Sequence, residues 1–162
     1  SEIMLQQTQV ATVIPYFERF MREFPTIDIL AKADVDHVMH LWTGLGYYSR
    51  ARHLHKTAKL IAADYQGQFP DTVDALVTLP GIGYSTAAAI ISITFRKRAT
   101  ILDGNVKRVL SRYVGISEWP GNKEIEQQLW QLAENYTPTK RCHEYTQVMM
   151  DLGATLCTRS KP

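Results

Sequence analysis

Apolar residues recur along most of the chain at the spacing of an α-helix. Leu54, Ala58, Ile61, Ala62 and Tyr65 fall at i, i+4, i+7, i+8 and i+11, which gathers them on one helical face. Leu129, Leu132, Ala133 and Tyr136 keep helical spacing, as do Tyr145, Val148, Met149, Leu152 and Leu156. The pattern breaks where helix-boundary residues are dense: Phe24-Pro25-Thr26, Ala33-Asp34, the run from Gly67 to Thr72, and Trp119-Pro120-Gly121-Asn122. Roughly nine or ten short helices are expected. No segment makes a convincing strand; Ala99–Leu102 comes nearest and reads as a connecting loop. There is no internal repeat and no low-complexity segment. The fold class is all-α.

Composition narrows the function classes. With 162 residues, 45% of them hydrophobic, the chain suits one large domain or two small ones and has the material for a core, which excludes disorder. The net charge of +2 is unevenly spread: residues 1–80 hold 7 Lys+Arg against 9 Asp+Glu (−2), and residues 81–162 hold 11 against 7 (+4). Between Arg96 and Arg112 lie Arg96, Lys97, Arg98, Lys107, Arg108 and Arg112, with Asp103 as the one acid. Such a cluster is either a solvated face or a surface for a polyanion. Cys142 and Cys157 are too few for a disulfide framework and suit a reducing interior. No apolar run is long enough to span a bilayer and no signal-peptide pattern opens the chain, so the cytoplasm is expected.

The stretch LPGIGYSTAAAI (Leu79–Ile90) carries the first candidate chemistry. A short helix over about 73–78 runs into Pro80; Gly81 and Gly83 form a tight turn, and a second helix starts near Tyr84. Glycine tolerates positive φ and lacks a Cβ, so a ligand can approach the main chain. Free N–H groups and the dipole at the next helix start favour an anion. Helix, G-x-G turn, helix is the layout of a helix–hairpin–helix, whose natural anion is a DNA phosphate, held without reading sequence. A glycine-rich corner between packed helices is the plainer alternative.

The stretch ILDGNVKRVLSR (Ile101–Arg112) carries the second. Asp103 follows two apolar residues and precedes a helix bearing Lys107, Arg108 and Arg112. As an N-cap it needs no further explanation. A carboxylate at a helix N-terminus beside cations is also favoured in its ionised form, and so can stabilise a cationic transition state. Glycosidic bonds break through oxocarbenium-like states, commonly with one carboxylic acid and one carboxylate. Together with a phosphate-gripping hairpin, Asp103 suggests cleavage of a base–sugar bond.

The two stretches in this order resemble the helix–hairpin–helix DNA glycosylase superfamily. SEIMLQQTQVATVIPYF (1–17), LWTGLGYYSRARHLHKTA (41–58) and MMDLGATLCTRSKP (149–162) are similar to its MutY-type adenine DNA glycosylases, so the resemblance covers essentially the whole chain. It implies two helical subdomains with the active site in the cleft between them. Residues 1–98 would form the first, carrying the hairpin (about 73–95), and residues 99–162 part of the iron–sulfur subdomain, carrying Asp103. The related endonuclease III type has a lysine that attacks the sugar where this chain has Ser85. Serine cannot form a Schiff base, so the resemblance implies a monofunctional enzyme that uses water. Lys107 could trap the abasic sugar or contact a phosphate.

Residue by residue, the resemblance makes Glu2 the general acid that protonates the departing adenine, Asp103 the carboxylate that stabilises the oxocarbenium ion, and Asn105 a helper beside it. A general acid working near neutral pH needs its pKa raised, and Ile3, Met4 and Leu5 offer apolar surroundings. The target base must leave the stack. Gln6, Gln7 and Tyr47 match wedge positions, although Tyr47 and Tyr48 could instead pack on Trp42. Leu5 and Gln147 match adenine-pocket positions, Gln147 offering a donor and an acceptor to the base edge; Ser85 belongs with them. Gly81, Gly83, Tyr84, Ser85, Lys107 and Arg108 are expected at DNA phosphates.

Cys157 matches the first of four cysteines that ligate a [4Fe-4S] cluster in the family, and Cys142 reads as a packed thiol. The other three ligands, an N-terminal segment and a domain that recognises 8-oxoguanine would lie outside this chain, whose two ends both look cut. The expected whole is a monomer in the cytoplasm of a bacterium, associated with the nucleoid. It would act on duplex DNA with an adenine mispair (A·8-oxoguanine or A·G) and on no membrane. Two alternatives stay open: a glycosylase with lyase activity, and a helix–hairpin–helix module that only binds DNA.

Overall fold

The computed structural model describes residues 1–160, so Lys161 and Pro162, the end of the last family-like stretch, lie outside the described residues. Among the described residues the regular structure is entirely helical: α1 (Glu2–Leu5), α2 (Val10–Glu23), α3 (Ile27–Lys32), α4 (Val35–Trp42), α5 (Ser49–Asp64), α6 (Val73–Val77), α7 (Tyr84–Phe95), α8 (Gly104–Val114), α9 (Lys123–Tyr136) and α10 (Cys142–Asp151), continued by a π-helical turn, Leu152–Leu156. None of these is long and apolar enough to cross a membrane.

The boundaries lie where side chains can satisfy the free N–H groups of a helix start. Thr26 accepts from Ile29 N–H, Asp34 from Asp36 N–H, Thr72 from Ala75 N–H and Asn122 from Glu124 N–H. These are the breaks marked by Pro25-Thr26, Ala33-Asp34, the Gly67–Thr72 run and Gly121-Asn122.

Packing groups the chain into two units, residues 1–83 and the described residues from Tyr84 onward. This division precedes the one expected after residue 98, because α7 packs on α10: Ser92 Oγ lies 2.9 Å from Thr146 Oγ1, both fully buried. In the first unit, Phe20, Phe24, Val38, Leu41, Trp42, Ala51 and Ala58 close a core around α5. Phe20 meets Phe24 and Trp42 edge-on.

In the second unit the apolar faces of α7, α8, α9 and α10 supply Ala88, Ile91, Val106, Leu110, Leu129, Ala133 and Met149. The connection over Ala99–Leu102 is a loop, as expected, yet all four of its residues are buried. A buried loop needs partners for its main chain. The Cys142 thiol donates to Ala99 O, and Leu102 N–H donates to Ser85 Oγ at 2.7 Å. Thr100 Oγ1 donates to Glu134 at 2.5 Å, and Glu134 is also bonded by Arg98. The bonds from Thr100 and Arg98 hold the Glu134 carboxyl below the usual carboxylate range, so the loop that leads to Asp103 is tethered to an ionised side chain.

Candidate active site

Each unit carries part of the expected site. In the first, Glu2 opens α1 and is half-buried, Met4 enters the core, and Ile3 and Leu5 pack partly buried against it. The chain leaves α1 through Gln6 and reaches Gln7, whose φ of 56° is left-handed. Tyr47, in the loop between α4 and α5, has a φ of 49°. For an L-residue that conformation costs ~1–2 kcal/mol and persists only where the surroundings impose it. Two of the three expected wedge residues therefore sit on strained backbone. Tyr47 is 58% exposed, Tyr48 is exposed as well, and neither ring stacks on the buried Trp42.

The hairpin turn is held by side chains around it. Gln6 Nε2 donates to Gly81 O at 3.1 Å and Thr57 Oγ1 donates to Pro80 O at 3.0 Å, so one residue expected at the wedge and one residue of α5 fix adjacent carbonyls. Gly81 has φ +77°, and a Cβ there would lie 2.8 Å from His53 Cβ; only glycine fits. Gly83 is not left-handed and is exposed, with open space where its Cβ would be.

In the second unit, Tyr84 and Ser85 form the first turn of α7; Tyr84 is 53% exposed and meets Trp130 edge-on. Ser85 Oγ accepts from Leu102 N–H and thereby ties that turn to the residue before Asp103. Sequence reasoning missed this bond, since nothing in the pattern pairs residues 85 and 102. Asp103 is half-buried and caps α8: Oδ1 accepts from Val106 N–H at 2.8 Å, and Oδ2 faces Asn105 Nδ2 at 3.4 Å. Asn105 thus sits beside the carboxylate, and its Oδ1 accepts from Arg108 Nη2 at 2.8 Å.

Both cations expected at phosphates are engaged within the unit. Arg108 also donates to Cys157 O at 2.6 Å, to Gly153 O and to Gly104 O. Lys107 is ion-paired with Glu126. The π-helical turn can approach α8 this closely because Gly153 has no side chain; a Cβ there would lie 2.5 Å from Asn105 Cβ. Gln147 is exposed on α10 and donates to Asp151 Oδ1 at 2.9 Å.

The model of the HhH-GPD superfamily base excision DNA repair proteins matches residues 1–135, a span that includes the hairpin turn and Asp103. The chain belongs to that superfamily. It is 49% identical over 162 residues to an adenine DNA glycosylase of Buchnera aphidicola subsp. Baizongia pistaciae (strain Bp), covering 100% of this chain and 46% of that protein. It is 45% identical over 163 residues to the adenine DNA glycosylase of Homo sapiens, covering 100% of this chain and 30% of that one. The chain therefore spans about half the length, or less, of these curated relatives. Among solved structures, a thermostable thymine-DNA glycosylase superposes with a TM-score of 0.88 at 30% identity, over 99% of this chain and 74% of that one. The all-α helix–hairpin–helix fold expected from the sequence is the fold observed.

A [4Fe-4S] cluster takes four thiolates, and the described residues contain no group of three or more His, Cys, Asp or Glu placed to hold a metal. Cys142 is buried, accepts from Ser92 Oγ and donates to Ala99 O, a packed thiol as expected. Cys157 is half-buried, with Arg112 Nη1 3.2 Å from its Sγ. The described residues do not by themselves make a cluster site.

Proposed function

We propose that this chain is the catalytic segment of an adenine DNA glycosylase that removes adenine mispaired with 8-oxoguanine or guanine in duplex DNA. The observation that carries the reading is Asp103. Its carboxylate is fixed at the start of α8 by Val106 N–H, with Asn105 beside it. An anion so held stabilises the positive charge that develops on the sugar as the base departs. Glu2 supplies the proton that adenine takes with it, and water completes the reaction, because Ser85 offers no amine and its hydroxyl already serves Leu102. The names of the similar proteins support adenine as the base.

Duplex DNA is the partner, met at the hairpin turn and the start of α7, with Gly81, Gly83, Tyr84 and Ser85 against the phosphates. Gln6, Gln7 and Tyr47 fill the space of the extruded base, and Leu5 and Gln147 meet the adenine. For Arg108 the internal bonds favour a different task, bracing Asn105 toward Asp103. Lys107 reaches a phosphate or the abasic sugar only by leaving Glu126. Cys157, with Arg112 Nη1 near its Sγ, would be one of the four thiolate ligands of a [4Fe-4S] cluster. Action as a monomer and a place at a bacterial nucleoid belong to the same reading.

Single-turnover base release on duplexes with A·8-oxoguanine, A·G and A·T tests it. Adenine should leave the two mispairs, the strand should break only after alkali, and Asp103→Asn should slow release about 10³-fold. Nicking without alkali would favour a lyase, and binding without release a DNA-binding module.

A further inference from the structure

Arg50, in the first turn of α5, is 6% exposed, yet it faces no carboxylate. Its guanidinium is surrounded by main-chain oxygens. Nη1 donates to Met4 O at 2.6 Å, Gln6 O at 2.5 Å and Ile3 O at 3.3 Å, and Nη2 donates to Gly46 O at 3.2 Å and Leu45 O at 3.4 Å. The same guanidinium carbon lies 5.2 Å from the Tyr47 ring centroid and 5.5 Å from that of Trp42. A buried cation with no counter-charge is expensive, and burial lowers the Arg50 pKa. The five carbonyl dipoles and two ring faces are its compensation.

What those carbonyls belong to matters more than their number. Ile3, Met4 and Gln6 are the α1 segment that carries Glu2 and Leu5 and leads into the left-handed Gln7. Leu45 and Gly46 are the loop that presents the left-handed, outward-facing Tyr47. These segments lie some forty residues apart in the sequence, and one planar fork holds both. Neither segment has the length to hold its own shape: α1 has four residues, and the loop is six residues between helices.

The geometry points to Arg50 as a positioning residue that sets the general-acid segment and the Tyr47 loop in register with each other. As a statement about catalysis it rests on the glycosylase reading above; as a statement about Tyr47 it does not. Lysine keeps the charge but offers neither the planar fork nor the face that stacks on tyrosine. A displacement of about 1 Å at a positioned group can cost on the order of 100-fold in rate.

The test compares the unsubstituted protein, Arg50→Lys and Ile61→Val, the last being a fully buried position near the opposite end of α5 from Arg50. Urea unfolding measures each fold, 3-fluorotyrosine at position 47 gives a fluorine NMR line, and single-turnover release on A·8-oxoguanine duplex gives the rate. In Arg50→Lys the fluorine line should move toward that of free fluorotyrosine. Base release at saturating DNA should fall about 10- to 100-fold, with duplex affinity changed less than about 3-fold. Ile61→Val should leave line and rate unchanged. An unmoved line, or a rate loss no larger than that of Ile61→Val, overturns the proposal. So does failure of both Arg50→Lys and Arg50→Gln to fold where Ile61→Val folds, since Arg50 would then be a folding residue. If the unsubstituted protein releases no adenine while the line still moves in Arg50→Lys, the glycosylase reading fails and the anchor stands.

Discussion

Asp103 combines a cap with a charge, and substitutions can separate the two. The cap is the 2.8 Å bond from Val106 N–H to Oδ1. Asparagine caps a helix about as well as aspartate, so Asp103→Asn keeps this bond and loses only the charge. The long 3.4 Å contact with Asn105 Nδ2 is the other cost, and a weak one. Asp103→Ala loses cap and charge together, and the missing cap costs about 1 kcal/mol of stability. For the charge, a carboxylate about 4 Å from a cationic sugar at an effective dielectric of about 20 contributes ~4 kcal/mol. That corresponds to about a thousandfold in rate. Urea unfolding and single-turnover base release, measured on the same preparations, read the two effects independently. Asp103→Asn should unfold within about 0.5 kcal/mol of the unsubstituted protein and release adenine about 10³-fold more slowly. Asp103→Ala should lose the same rate and about 1 kcal/mol besides. If Asp103→Asn kept more than about a tenth of the rate, the electrostatic role would be wrong. Equal loss of stability in the two variants would refute the cap.

Three other outcomes follow from the same structure. Ser85→Ala strands the buried Leu102 N–H, at a cost of about 1–3 kcal/mol; the Leu102 amide should exchange faster and base release should slow, whereas Ser85→Thr should preserve both. Gly153→Ala drives a methyl to within 2.5 Å of Asn105 Cβ, so unfolding should occur about 1–3 kcal/mol more easily; an unchanged urea midpoint would show that the π-helical turn does not press on α8. His55 is 3% exposed with no partner for Nε2, and burial, reinforced by Lys59, lowers its pKa below the ordinary 6.5 against smaller opposing contributions from Ala33 O and Asp34. The unfolded chain therefore binds the proton more readily. The contribution of His55 to stability is complete above about pH 6.5 and is lost as pH falls through the lower folded value. The difference in unfolding free energy between the unsubstituted protein and His55→Gln should shrink as pH falls below that range; a pH-independent difference would refute the assignment.

Much of the fold is written in local chemistry. A cap joins a side chain to an N–H two or three residues on, so Thr26, Asp34, Thr72, Asn122 and Asp103 mark helix starts in sequence and structure alike. The G-x-G turn needs glycine for a backbone reason, and Gly81 takes the positive φ that this allows. Asn105 two residues after Asp103 is likewise a neighbour that the chain itself supplies.

Long-range partnerships were decided by tertiary packing. Arg50 looks like any surface cation on a helix until the fold brings Met4, Gln6 and Gly46 carbonyls to it. The resemblance places Arg108 at a phosphate; its bond to Gly153 O, by contrast, has no sign in the sequence, because it needs the side-chain-free glycine to bring the π-helical turn near α8. Ser85 was informative in sequence for the amine it lacks, while the fold uses the oxygen it has. The difference is physical. A helix start or a turn depends on a few residues joined by short stretches of chain, whereas a buried hydrogen bond between distant residues forms only after apolar burial has placed both partners.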